Sequence, residues 1–271
     1  MSLLDLIKER RSVRSFDGRP LTEEDRKNIE EYAKTIEPLF DIPVGYAFLE
    51  GGKDGLGSQV LVGDRTFLAG KVKRVPYAEM AFGYEFEKLI LYAWSIGVGS
   101  VWIAGTMKRS AFEKAAGIKD DEMMPCITPL GYEAEKMSMR EKLMRKGVKA
   151  DIRKPAGELF FDKSFNRPMS QEAMGEFADL FEMVRWAPSA VNKQPWRIVA
   201  DDGAFHFYEK KDKGYVNDDA GDLQKIDVGI ALCHFTMGLD EKEMAYLIEV
   251  NDPGFIAPQD TEYIASVRLV F

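Results

Sequence analysis

The sequence predicts an α+β chain built as two copies of one domain-sized unit, and three observations predict it. A turn and helix cap recur. Ser15-Phe16 and Arg19-Pro20, with Thr22 ahead of Glu23, Glu24 and Asp25, return as Ser164-Phe165 and Arg167-Pro168, with Ser170 ahead of Gln171 and Glu172. An amphipathic helix over Phe86 to Ser95 is echoed by Leu223, Ile226, Ile230, Cys233 and Met237, and both end near a glycine, Gly97 and Gly238. Apolar, strand-type runs follow helical ones at Val101-Trp102-Ile103, Ile198-Val199-Ala200 and Tyr263 to Phe271. A spacing of about 150 residues is too long for a solenoid, so the repeat reads as a duplicated unit. The copies are expected at 1–160 and 161–271, with an arm at 133–160.

Taken in order, Leu3 to Arg10 reads as a short helix with Leu3, Leu4, Leu6 and Ile7 available for burial. Arg10-Arg11-Ser12-Val13-Arg14 then places three guanidiniums and a hydroxyl within five residues. After a turn, Thr22 caps a helix whose acidic first turn suits the positive end of the helix dipole. Leu89 to Met107 carries no formal charge, close to the length that crosses a bilayer. Its glycines and its apolar face (Phe86, Leu89, Ile90, Ala93, Trp94) instead predict a helix ending at Gly97 or Gly99, followed by a buried strand through Val101, Trp102 and Ile103. Glu133 to Lys154, rich in Lys, Arg and Met, reads as a helix or a crossing arm, most of it a solvated face.

In the second copy a helical stretch, Glu172 to Val184, leads into Trp186-Ala-Pro-Ser-Ala-Val-Asn-Lys-Gln-Pro-Trp-Arg197, a loop stiffened by Pro188 and Pro195. Such a loop suits a surface that holds a hydroxyl and two amides in place for a flat polar ligand.

Composition narrows the function. Of 271 residues 45% are apolar and 11% aromatic, enough for a real core. A net charge of −8 and a pI near 5.1 argue against nucleic acid or an anionic membrane as partner. Cys126 and Cys233 are too few and too far apart for a disulfide framework or metal knuckle and read as buried small side chains. Five charged residues among the first eleven argue against a secretory leader, so a cytoplasmic protein is expected. His206 and His234 read as structural, no Ser/His/Asp arrangement is present, and neither a P-loop nor a Gly-x-Gly-x-x-Gly turn follows a strand. No residue is assigned as nucleophile or metal ligand.

Arg10-Arg11-Ser12-Val13-Arg14-Ser15-Phe16 and Ala187-Pro-Ser-Ala-Val-Asn-Lys-Gln-Pro-Trp196 together resemble the nitroreductase family of FMN-dependent oxidoreductases. The resemblance extends to Gly97-Val-Gly-Ser-Val-Trp-Ile-Ala-Gly105, to Pro129-Leu-Gly-Tyr132 and to Arg153-Lys-Pro155, and so covers most of the chain. The order departs from the family's. Usual members carry both motifs near the start of one domain and bind FMN at a homodimer interface, whereas here the Arg motif lies in copy one and the Pro-Ser-x-x-Asn-x-Gln-Pro-Trp motif in copy two. Aligned on the repeat, Arg10, Arg11 and Ser12 face Leu159, Phe160 and Phe161, and Pro188, Ser189, Ala190 and Asn192 face Pro38, Leu39, Phe40 and Ile42. Each copy keeps one half of a site.

The resemblance therefore implies a nitroreductase-like fold duplicated in one chain as a pseudo-dimer, each copy a mostly antiparallel sheet flanked by helices, and a monomer in solution. It implies one flavin pocket. Arg10, Arg11, Ser12 and Arg14 would hold the phosphate and ribityl chain of FMN, and Arg153 would complete the phosphate clamp. Pro188, Ser189, Ala190 and Asn192 would line the isoalloxazine. Ala104 and Gly105 would offer amides near flavin N5, and Lys71, with Lys73 as rival, would approach the pyrimidine edge; both lysines read equally as surface charges. The implied activity is hydride transfer from NADH or NADPH through FMN to a small-molecule acceptor, nitroaromatic or quinone-like, by a ping-pong cycle. The alternatives are FMN storage or sensing without turnover, a scaffold with both pockets lost, and flavin fragmentation or dehalogenation on the same fold.

Overall fold

The computed structural model describes residues 1–52 and 55–270. Contacts divide the chain into an N-terminal unit, Glu9–Ala150 with Asn217–Gly221, and a C-terminal unit, Met1–Lys8, Asp151–Val216 and Asp222–Phe271. The sequence expectation drew the line at 160 and left the first helix with copy one.

The first helix, α1 (Leu3–Glu9), is tied to the C-terminal unit: the Leu3 amide donates to Glu241 Oε1 at 2.9 Å and Lys8 lies 3.7 Å from Glu182. Of its apolar residues only Ile7 is fully buried.

The N-terminal unit contains α2 (Glu23–Thr35), β1 (Gly45–Glu50), β2 (Thr66–Lys73), α3 (Ala78–Ser95), β3 (Gly99–Ser100), α4 (Arg109–Ala116), β4 (Glu122–Met123), β5 (Ile127–Gly131) and α5 (Met139–Gly147). Thr22 caps α2 as expected, its Oγ1 accepting the Asp25 amide at 3.1 Å. The sheet runs β1-β2-β5-β3, all antiparallel, with β4 beside β2. Phe67 on β2, Phe82 and Phe86 on α3 and Phe112 on α4 are fully buried. Phe67 meets Phe112 edge-on at 5.1 Å, an arrangement worth about 0.5–1.5 kcal/mol beyond its area.

The C-terminal unit contains α6 (Ala156–Leu159), β6 (Phe160–Asp162), α7 (Gln171–Met174), α8 (Ala178–Trp186), β7 (Trp196–Asp201), β8 (Ala204–Lys210), α9 (Leu223–Glu241), β11 (Tyr246–Glu249) and β12 (Thr261–Leu269), while the two-residue strands β9 (Val216–Asn217) and β10 (Gly221–Asp222) fall at the points where the chain passes from one unit to the other. Its main sheet runs β11-β12-β8-β7-β6, antiparallel except for the β6–β7 pair. Phe271, the end of the expected terminal strand, lies outside the described residues.

The internal repeat is visible as connectivity. Helix, hairpin, long helix, edge strand and inner strand occur in the same order as α2-β1-β2-α3-β3-β5, with α4 and β4 inserted before β5, and as α8-β7-β8-α9-β11-β12. The sheet orders β1-β2-β5-β3 and β7-β8-β12-β11 are the same order.

Two expectations need correction. The helix Glu172–Val184 is broken: α7 stops at Gly175, whose φ of 51° leaves the helical region, and a 3-10 turn over Gly175–Phe177 precedes α8. Ser170 is the cap, but α7 has 4 residues against 13 in α2, so the two capped helices differ in length. The strand through Val101–Ile103 reduces to β3: beyond Ser100 the Val101 amide is taken by Thr128 Oγ1 at 3.1 Å, and Ile103 makes a single bridge to Ile127. Gly238 falls near the end of α9, as expected, and lies inside the helix, which ends at Glu241. A Cβ there would sit 2.9 Å from Met183 Sδ and 3.0 Å from Leu180 Cγ, so the glycine lets α8 and α9 approach closely. No helix among the described residues is long and apolar enough to cross a membrane, and α3 ends at Ser95 inside the uncharged stretch. His206 and His234 are buried, bonded to Ser266 Oγ at 2.7 Å and Met183 O at 2.9 Å, and both cysteines are buried thiols.

Two outcomes follow from this packing. Gly238→Val should lower stability by about 1–3 kcal/mol through overpacking, read as a lower urea midpoint at unchanged slope. Glu209 on β8 is 1% exposed, and burial, aided by Asp222, raises its carboxyl to about 7 against the pull of Lys211 and Lys225. The folded state thus keeps a proton that the unfolded chain loses first. This group makes the protein less stable as pH rises from about 4.5 to about 7 and adds no slope above that. In Glu209→Gln that slope should vanish, raising variant over wild type by on the order of 3 kcal/mol across the window in paired denaturation curves.

Candidate functional site

In the N-terminal unit the segment after α1 runs extended. Ser12 bridges Ser100, the Val13 amide donates to Ser100 O at 2.9 Å, and the Val62 amide to Arg14 O at 2.9 Å. Val13 is fully buried against Gly99, where a Cβ would meet Val13 Cγ2 at 2.9 Å. Alternate side chains of extended backbone share a side, which groups Arg10, Ser12 and Arg14.

Arg10 is 8% exposed, and its Nη1 is buried with no hydrogen-bond partner among the described residues. Burial pulls its pKa down, Glu87 pulls it back, and Arg145 on α5 pushes it down again. Arg14 feels the same burial, with Glu141 opposing and Arg145 and Arg10 adding repulsion. Arg10 and Arg14 thus each sit in a poorly solvated place between a carboxylate that draws them and guanidiniums that repel them. Arg11 is engaged elsewhere: its Nη2 bonds Glu133 Oε1 and its Nη1 lies 3.9 Å from Glu141 Oε1. Arg145 escaped the sequence reading because it stands in the charge run taken for a solvated face.

Lys71, on β2, forms a partly buried ion pair with Glu122 at 3.3 Å, while Lys73 is exposed. The Ala104 carbonyl accepts from Arg109 Nη2 at 2.9 Å, and neither the Ala104 nor the Gly105 amide meets a backbone acceptor among the described residues. The same unit has an open cleft of about 460 Å³ lined by Arg74, Glu79, Met123 and Asn217, among others, and by none of the predicted residues. Arg74 is a poor anion receptor, since Nε, Nη1 and Nη2 already donate to the carbonyls of Glu122, Asp218 and Asp219. The Arg10 cluster is therefore the better anion site.

In the C-terminal unit the loop after α8 turns through a 3-10 segment, Ala190–Asn192, with Val191, Asn192 and Gln194 at φ 50°, 57° and 50°. Left-handed backbone at a β-branched residue is costly and persists only where neighbours impose it. The imposing contacts are specific. The Ala190 amide donates to both Asp227 carboxylate oxygens at 3.0 and 3.1 Å, and the Gln194 amide donates to Ser189 Oγ at 2.9 Å. Asp227 is 4% exposed. Burial drives its carboxyl well above the usual range, the Ala190 amide opposes, and Asp222 and Glu209 push it further up. Pro188 is half-buried ahead of this turn. Asn192 Nδ2 donates to Ile152 O at 2.9 Å, and the Arg153 guanidinium lies 4.6 Å from the Trp186 ring centroid. Arg153, Ser189, Ala190 and Asn192 are therefore brought into one neighbourhood. Asp227 was missed, although an acid beside the apolar run at 228–233 is a legible signal.

The N-terminal unit repeats the turn with other side chains. Leu39–Asp41 follows Pro38, with Phe40 and Asp41 at φ 54° and 56°. Glu85 on α3 accepts the Leu39 and Val44 amides at 3.2 and 3.1 Å, as Asp227 on α9 accepts Ala190. The scaffold of the turn is present twice, and the hydroxyl and amide side chains occur in the C-terminal copy alone.

Comparison with known proteins agrees with this architecture. A crystal structure from Thermotoga maritima, described as a "putative nitroreductase (tm1586)", aligns with TM-score 0.65 and 18% identity over 99% of this chain and 94% of that one. A "putative NADH dehydrogenase/NAD(P)H nitroreductase" from Bacteroides thetaiotaomicron aligns over 50% of this chain and 89% of its own, at TM-score 0.44 and 20% identity. A Bacteroides fragilis nitroreductase with bound FMN covers 51% of this chain and 92% of its own, at TM-score 0.42 and 19% identity. No curated protein matches. The sequence model described as "Putative TM nitroreductase" matches residues 2–239, and the chain belongs to that nitroreductase family.

Proposed function

We propose that the protein is an FMN-dependent oxidoreductase that takes reducing equivalents from NADH or NADPH and delivers them to a small nitroaromatic or quinone-like acceptor. The observation that carries this reading is the buried Arg10 guanidinium, with Nη1 unsatisfied among the described residues and with Arg14 and Arg145 repelling it against the pull of Glu87. An unsatisfied buried donor is costly, and a phosphate oxygen would both satisfy it and offset the repulsion with charge-assisted bonds. The residues present thus fit the phosphate end of FMN.

In this reading Arg10, Ser12 and Arg14 of the N-terminal unit present donors suited to the phosphate and ribityl chain, and in the C-terminal unit Arg153 is a further phosphate-binding cation. Arg11, paired with Glu133 and Glu141, fixes the segment from which the others project. Pro188, Ser189, Ala190 and Asn192 present the ring side. Ser189 Oγ accepts the Gln194 amide and keeps its own O–H to donate. The Ala104 and Gly105 amides are available to a polar ring edge. Lys71 reaches a flavin only by loosening its pair with Glu122. Bound FMN would supply the hydride and electron transfer, with nucleotide and acceptor using one slot in turn.

Purified protein should carry or take up FMN, and anaerobic NADH or NADPH should bleach its visible absorbance, with an added quinone restoring it. Protein that is yellow yet inert toward both nucleotides would point to storage or sensing; protein that takes up no FMN would defeat the reading. Arg10→Met should weaken FMN binding by at least about tenfold, measured by fluorescence titration.

A further inference from the structure

Gln194 is 3% exposed, and its side chain bonds one short stretch of backbone. Its Oε1 accepts the Lys154 amide at 2.8 Å, and its Nε2 reaches Ile152 O at 3.4 Å. Those two groups belong to the peptide units on either side of Arg153. Asn192 Nδ2 adds a second donor to Ile152 O at 2.9 Å, and Arg185 Nε donates to Lys154 O at 3.3 Å. Gln194 is itself held, its amide on Ser189 Oγ and its Nε2 near the Asn192 carbonyl and side-chain oxygen, each at 3.3 Å. Its φ of 50° is an unfavourable setting for a glutamine, kept by this surrounding network.

We propose that Gln194 is a positioning residue for the phosphate end of the flavin: by gripping both peptides that flank Arg153, it aims that guanidinium. The inference rests on the FMN reading above and deepens it. Arginine is long and rich in rotamers, so a free one loses much of its binding gain to ordering. Fixing the backbone on both sides and laying the guanidinium over Trp186 at 4.6 Å removes most of that freedom in advance. The same network joins the arm at 152–154 to the Ser189–Gln194 turn, so the turn assigned to the ring and the cation assigned to the phosphate are set by one side chain.

The test uses the full-length protein, freed of flavin and titrated in parallel with FMN and with riboflavin, which lacks the phosphate. Wild type should prefer FMN. Gln194→Ala should weaken FMN about tenfold and leave riboflavin within about twofold, because the lost contact acts through a phosphate-binding cation. Arg153→Ala should give the same pattern, and the double variant no further loss. Gln194→Glu, which keeps the acceptor for the Lys154 amide, should retain part of the preference and serves if the alanine variant folds poorly. Equal weakening of both flavins, unchanged FMN binding, or additive losses in the double variant would overturn the proposal. A wild type that binds both flavins equally would instead defeat the phosphate assignment itself.

Discussion

A carboxyl group buried on the long helix of each unit holds a left-handed turn in place, and the candidate site is built on that constraint. Asp227 takes the Ala190 amide and Glu85 takes those of Leu39 and Val44. Burial favours the protonated acid and the amide bonds favour the anion. Burial prevails: Glu85 rises to about 7 and Asp227 rises well above its ordinary value. Both turns place non-glycine residues at positive φ, a cost recovered through the contacts each acid makes possible. Each long helix thus has two tasks, covering its sheet and fixing a turn.

What the turn carries differs. In the C-terminal unit it bears Ser189, Asn192 and Gln194, whose hydroxyl and amides form a closed set of bonds with the arm at 152–154. In the N-terminal unit the corresponding turn bears Leu39 and Phe40, which can pack but cannot donate. The basic segment at residues 10–14 shows the reverse division of labour, since its counterpart, Leu159–Phe161, runs into α6 and β6 with Leu159 and Phe160 fully buried. An extended strand edge presents guanidiniums on one side. The same stretch made apolar becomes core.

Electrostatics separates the basic groups by what they can still do. Arg74, Arg109 and Arg11 have their donors committed to carbonyls or carboxylates, which makes them struts. Arg10 is buried with a donor to spare, drawn by Glu87 and repelled by Arg145. The overall charge of −8 says nothing of this, because a local field depends on which carboxylates lie within a few ångströms, not on their total.

The sequence by itself determined the local and the repeated. Thr22 and Ser170 announce their caps because a hydroxyl ahead of acidic or amide residues satisfies free helix amides whatever surrounds it. The recurrence of turn, cap and long helix foretold two sheets of one order because connectivity follows element order. The Arg-Arg-Ser and Pro-Ser-x-x-Asn-x-Gln-Pro-Trp stretches told of the family because they are contiguous. Only the tertiary structure decided that Gly238 lies inside a helix, since its reason is Leu180 and Met183 on another helix. The same holds for Arg145, made part of a basic cluster by its distance from Arg10, and for Gln194, whose partners lie some forty residues away in sequence. Pairings of that kind depend on how the chain closes on itself, and no window of residues contains them.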